Sequence, residues 1–198
     1  MKLIGKNSIS TIISWLLLSL FVILCLHFIY EIVGHSVLFY KYKTGSDIFN
    51  QTFFLGNEVA STNNNLPEHL SEELKFRINY PFLGIELVTG LYKPLLIFLD
   101  CFGLLYITLF FYFAFNSFKE FSSDRVFSSK AVSNLKKLGY LNLIFSSIIL
   151  FPTIWMYQIS AFALLQFFFI AFFGILILFM VAFFKKGLEL QSENDLTI

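Results

Sequence analysis

The chain has 198 residues, 57% of them hydrophobic and 20% aromatic, with 28 Phe and a mean hydropathy of +0.75. A soluble domain of that length has no core large enough for so much apolar surface, so the composition calls for lipid. A formal charge of +1 without any run of like sign excludes direct nucleic-acid binding and a polyionic tail.

A hydrocarbon layer about 30 Å thick needs roughly 20 apolar residues in a helix. Four stretches qualify, over about 12–33, 95–116, 139–157 and 161–184. Lys2 and Lys6 precede the first, but its apolar run is longer than that of a signal peptide and no small-x-small cleavage site follows. Leu24 before Cys25 argues against a lipoprotein site, so the first span reads as a retained anchor. The second carries one charge, Asp100. Asn142, Ser146, Ser147 and Pro152 soften the third, while Gln166 is the one strongly polar residue of the fourth. With no water to satisfy backbone groups, each span is expected to be helical.

Basic residues set the orientation. With both termini and the 117–138 connection inside, nine of the 14 Lys and Arg face the cytoplasm: Lys2, Lys6, Lys119, Arg125, Lys130, Lys136, Lys137, Lys185 and Lys186. Lys41, Lys43, Lys75, Arg77 and Lys93 then lie outside, in a 41–93 loop too long for a simple connector. Its turn-rich centre, STNNNLPEHLSEE, is flanked by IFNQTFFL and LKFRINYPF. Leu74, Phe76, Ile78, Tyr80 and Phe82 alternate with period two, which predicts a small β-hairpin or sheet. Pro94 suits the first turn of the helix that follows.

In VFSSKAVSNLKKLGY, Ser128 is placed to cap a helix, with Phe127 and Val132 as a hydrophobic staple. The amphipathic turns beyond it read as a short interfacial helix. That helix either sets the entry angle of the third span or offers a docking surface.

His27, Glu31 and His35 recur every four residues and share one helix face. Asp100 sits about 9 Å inside the second span. Ionisable groups in a membrane usually have a polar partner. The four residues therefore read as a metal or proton site, as structural pairing near the outer boundary, or as substrate contacts. Cys25 and Cys101 fall in apolar surroundings without a C-x-x-C pair, so redox chemistry has no support. Phosphate loops, zincin motifs and nucleophile elbows are absent. Gly103 and Gly174 suit close helix packing, but no G-x-x-x-G pair specifies a dimer, and the oligomeric state stays open. An enzyme is not expected, nor a cofactor.

Past Lys185 and Lys186, which can snorkel to headgroups, the chain reads GLELQSENDLTI. Gly187, Leu188 or Leu190, Glu189, Glu193, Asn194, Asp195, Leu196, Thr197 and Ile198 resemble the closing signature of a bacterial membrane family, domain of unknown function 2975. Phe127, Val132, Leu135 and Gly139 are similar to that family's cytoplasmic segment. The resemblance implies a four-span protein of the bacterial inner membrane, encoded beside a small helix-turn-helix regulator, and supplies no reaction or ligand. Two readings of the tail follow. In one, Leu188, Leu190, Leu196 and Ile198 fold back on the 127–138 helix while the carboxylates meet Lys130, Lys136 or Lys137. In the other, the D-L-T-I peptide is free for a partner.

The expected fold is an all-α integral membrane protein of four transmembrane helices, with an external, β-containing loop domain (41–93), a cytoplasmic loop (117–138) and a cytoplasmic tail (185–198). The expected function is non-enzymatic: a membrane partner or regulator of a cytoplasmic helix-turn-helix protein, read by Glu193, Asn194, Asp195, Leu196, Thr197, Phe127 and Leu135. The alternative is a small ion- or metal-linked transporter using His27, Glu31, His35 and Asp100.

Overall fold

The computed structural model describes residues 2–57, 59, 73–82, 84–123, 127–155 and 161–195. These form α1 (Ile9–Thr44), β1 (Phe53–Gly56), β2 (Lys75–Asn79), β3 (Glu86–Leu91), α2 (Pro94–Phe121), α3 (Ser129–Trp155) and α4 (Ala161–Asp195). Among the described residues three helices are long and apolar enough to cross a membrane: α1, α2 and the Leu164–Glu193 part of α4. Their large side chains face outward, as with Trp15, Leu16 and Ile23 on α1 and Phe168, Phe179 and Phe183 on α4. The fourth span expected over 139–157 is not shown. Asn142, Ser146 and Ser147 dilute α3 below the apolarity of the other helices, and residues 156 and 157 lie outside the described residues.

The chain divides into two compact units, to both of which α1 and α2 contribute. The first comprises residues 1–25 and 105–198. Here α3 and α4 approach through two glycines. A Cβ on Gly174 would stand 3.0 Å from the Gly139 carbonyl oxygen, and one on Gly139 would stand 2.8 Å from Leu178. Gly103, by contrast, has nothing within 4 Å of where its Cβ would be, so only Gly174 serves the close packing expected of the pair. Ala114, Leu135, Leu138 and Ile177 form the buried core of this unit. Asn142 is also buried and satisfied: Tyr106 Oη donates to its Oδ1 at 2.8 Å, and its Nδ2 donates to the Leu138 carbonyl at 2.7 Å. The Tyr106 ring stacks on Phe145.

The start of α3 follows from local chemistry. Ser128 Oγ accepts from the Ala131 amide at 3.0 Å, the geometry of an N-cap, and donates to Glu120 Oε2 on α2 at 3.0 Å. The helix that begins here continues without a break to Trp155. The interfacial helix and the third apolar stretch are thus one element.

The second unit, residues 26–104, holds the sheet. Its order is β1-β2-β3, antiparallel throughout, with Phe53 opposite Ile78 and Ile78 opposite Val88. This meets the expectation of β-structure in 41–93 and adds a strand, β3. Leu38 of α1 is buried with Phe53, Phe76 and Ile78 of the sheet. Gly34 permits that contact, because a Cβ there would stand 2.7 Å from Ile78 Cδ1. Lys41 is buried too. Its ammonium donates to Asn50 Oδ1 and, at 2.7 Å, to the Phe53 carbonyl, which pins β1 to the last turns of α1. Gly45 closes α1 in the left-handed region (φ 65°), its amide donating to the Lys41 carbonyl.

Candidate functional site

A polar cluster in the second unit forms from α1, α2 and the residue after β2. Three helical turns bring His27, Glu31 and His35 onto one face of α1, as their spacing predicts. Glu31 is the centre and is 3% exposed. Its Oε2 stands 3.8 Å from His27 Nε2, and its Oε1 3.7 Å from His35 Nε2. His27 Nδ1 lies 3.3 Å from the Tyr80 hydroxyl, so that ring is held between the sheet and the carboxylate.

From α2, Cys101 Sγ reaches Glu31 Oε1 at 3.9 Å. Asp100, its neighbour on α2, lies within electrostatic reach of Glu31, His35 and His27. The Asp100 carboxyl is on the exposed side of the cluster, and Glu31 on its buried side.

His35 differs from His27 in one respect. Both of its ring nitrogens are buried and lack a hydrogen-bond partner. The ring is held edge-on by Phe76, with centroids 5.0 Å apart, while Nε2 points at Glu31. All four residues predicted for a metal or proton site are thus brought together. Cys101 is the member that sequence reasoning missed. Its only signal was adjacency to Asp100, since consecutive helical residues can flank the same facing helix.

The residues predicted for partner binding are placed differently. Leu135 is 4% exposed and belongs to the core of the first unit, so it supports the surface rather than contacting a partner. Phe127 lies against Gly187, with Cε1 2.6 Å from where a Cβ would be, and its ring centroid is 5.4 Å from that of Phe184. Glu193 is exposed on α4, whose backbone continues through Asn194 and Asp195. Leu196 and Thr197 lie outside the described residues. The fold-back of the tail onto the 127–138 helix is not observed up to Asp195. Instead α4 carries on as one helix, and Leu190 stays 51% exposed. The reason is local: Gly187 makes room for the Phe127 ring within the helix.

A family model described as a protein of unknown function, DUF2975, matches residues 67–198. The chain belongs to the DUF2975 family. Its matched segment takes in β2, β3 and α2 to α4, and with them Asp100, Cys101, Phe127 and Glu193. His27, Glu31 and His35 of α1 precede the DUF2975 match. Neither the curated proteins nor the solved structures provide a match to this DUF2975 chain.

Proposed function

We propose that this DUF2975 protein is a non-enzymatic, four-span membrane protein that holds a cytoplasmic partner, a small helix-turn-helix regulator, at its cytoplasmic face. The observation that carries this reading is the extension of α4. The helix passes Lys185 and Lys186 and stays helical to Asp195, about 15 Å further at 1.5 Å per residue. Phe127 on Gly187 clamps the base of that extension, and the Lys186–Glu189 pair, at 3.3 Å, lies along it. A helix that stays regular beyond its apolar run offers an ordered polar surface. The family match includes this region.

In this topology α3 is the remaining span. Its 27 residues cover about 40 Å. Its polar side chains are satisfied within the protein: Asn142 by Tyr106 and Leu138, Ser146 and Ser147 by the Leu143 carbonyl. Such groups cost little in lipid once bonded. The charge distribution supports a bacterial inner-membrane topology with both termini and the 117–138 connection on the cytoplasmic side.

The test is a crosslinked pull-down from native membranes with an N-terminal tag, comparing the full chain with one ending at Gly187. A helix-turn-helix protein recovered with the full chain and not with the shortened one is the expected result, with equal membrane insertion of both. Recovery of no such protein, or equal recovery from both, overturns the reading.

A further inference from the structure

We propose that Glu31, His35 and Cys101 bind one divalent transition-metal ion, zinc by the chemistry of their donors, with His27 and Asp100 orienting Glu31. The site is independent of the partner reading, since its residues lie in the second unit.

The distances are compatible with a shared cation. An N–H···O hydrogen bond is about 2.7–3.2 Å long. Glu31 Oε1 stands 3.7 Å from His35 Nε2 and 3.9 Å from Cys101 Sγ. The three donor atoms all lie within 4.8 Å of one another. Bonds of about 2.0–2.3 Å to a tetrahedral zinc give edges of about 3.3–3.8 Å between ligands. The two edges meeting at Glu31 Oε1 are close to the spacing around a shared ion, and the His35 Nε2 edge is too long for an N–H···O hydrogen bond. The buried imidazole of His35 supplies the independent sign of a ligand: Nε2 points into the cluster and has no hydrogen-bond partner.

Charge favours the same set. A thiolate, a carboxylate and a neutral imidazole around a dication sum to zero, which lowers the cost of burying the ion. Sulfur with nitrogen selects zinc and softer ions over magnesium or calcium, which prefer oxygen alone. Binding displaces the thiol proton of Cys101 to solvent. Outside the three ligands, His27 faces the second oxygen of Glu31 and is itself met by Tyr80. Asp100, next to Cys101 on α2, lies within electrostatic reach of the same carboxylate. Partners of this kind fix ligand orientation in known metal sites.

Cobalt(II) is the probe, added to the full chain purified in detergent with a histidine-free tag. The expected result is one Co²⁺ per chain, with a thiolate-to-metal charge-transfer band in the near ultraviolet that Zn²⁺ abolishes. The band should vanish in Cys101→Ser and persist in Cys25→Ser. Asp100→Asn should weaken binding roughly 10- to 100-fold while keeping the band. A second readout needs no ligand substitution: in Cys25→Ser protein, Zn²⁺ should slow maleimide modification of Cys101 at least about tenfold, in proportion to the thiolate it ties up. Monodisperse protein that binds no Co²⁺, a band that survives Cys101→Ser, or a maleimide rate indifferent to Zn²⁺ each overturns the proposal.

Discussion

At the residue scale, the two glycines at the α3–α4 crossing behave unlike the glycine of α2. A side chain on Gly174 meets a backbone oxygen at 3.0 Å, which cannot swing aside, whereas Gly103 faces open space. Gly174→Leu should therefore lower the melting temperature in detergent by the equivalent of about 1–3 kcal/mol, the range for overpacking. Gly103→Ala should leave it unchanged or raise it slightly, through helix propensity. Equal loss from both would remove the close crossing from the account. Asn142 gives the second case at this scale. Asn142→Ala strands the Tyr106 hydroxyl in a half-buried position and should cost about 1–3 kcal/mol, whereas Tyr106→Phe should cost less if Asn142 keeps its bond to Leu138. Thermal unfolding of the three proteins side by side decides it. Neither contact was legible beforehand. Gly174 was marked for close packing, but its partner Gly139 looked like part of a cytoplasmic segment, and pairing two glycines across helices needs the helices' register. Cys101 was obscured in the same way, since a cysteine among Phe and Leu reads as a small hydrophobe until Glu31 is seen beside it.

At the scale of elements, the sequence reading located the helices better than it bounded them. The apolar runs were found because lipid demands them, yet α1 goes on to Thr44 and α4 to Asp195. In α1 the extra turns carry Leu38 and Lys41 into the sheet, so tertiary contacts hold a segment whose polarity suggested a loop. In α4, Gly187 is a packing notch for Phe127. That assignment is testable. Phe127→Ala should raise amide exchange over residues 188–195 several-fold while α4 within the apolar run keeps its protection. Unchanged exchange would mean the extension is held by something else. Within the sheet, β2 was visible through the alternation of Phe76 and Ile78, both buried. β3 was not, because every residue of Glu86–Leu91 is half-buried and Gly90 interrupts the pattern. Ile78 packs on Leu38 and Gly34. Ile78→Ala should create a cavity costing about 2–5 kcal/mol. Limited proteolysis should then cut within 45–93 sooner, leaving α3 and α4 intact.

For the whole molecule, the proposal is topological: α3 as a fourth crossing would put the α2–α3 connection and the extension of α4 on the same, cytoplasmic side. Hydropathy alone supports three crossings, and three crossings would place the α4 extension outside, where no cytoplasmic regulator could meet it. Sided labelling separates the two counts. Single cysteines at Ser46→Cys, Ser122→Cys and Ser192→Cys, in a Cys25→Ser, Cys101→Ser background, are exposed to a membrane-impermeant maleimide in intact cells and after permeabilisation. The account predicts that the cysteine at 46 labels in intact cells, while those at 122 and 192 label only once the membrane is opened. Labelling at 192 from outside, with 122 still protected, would contradict it.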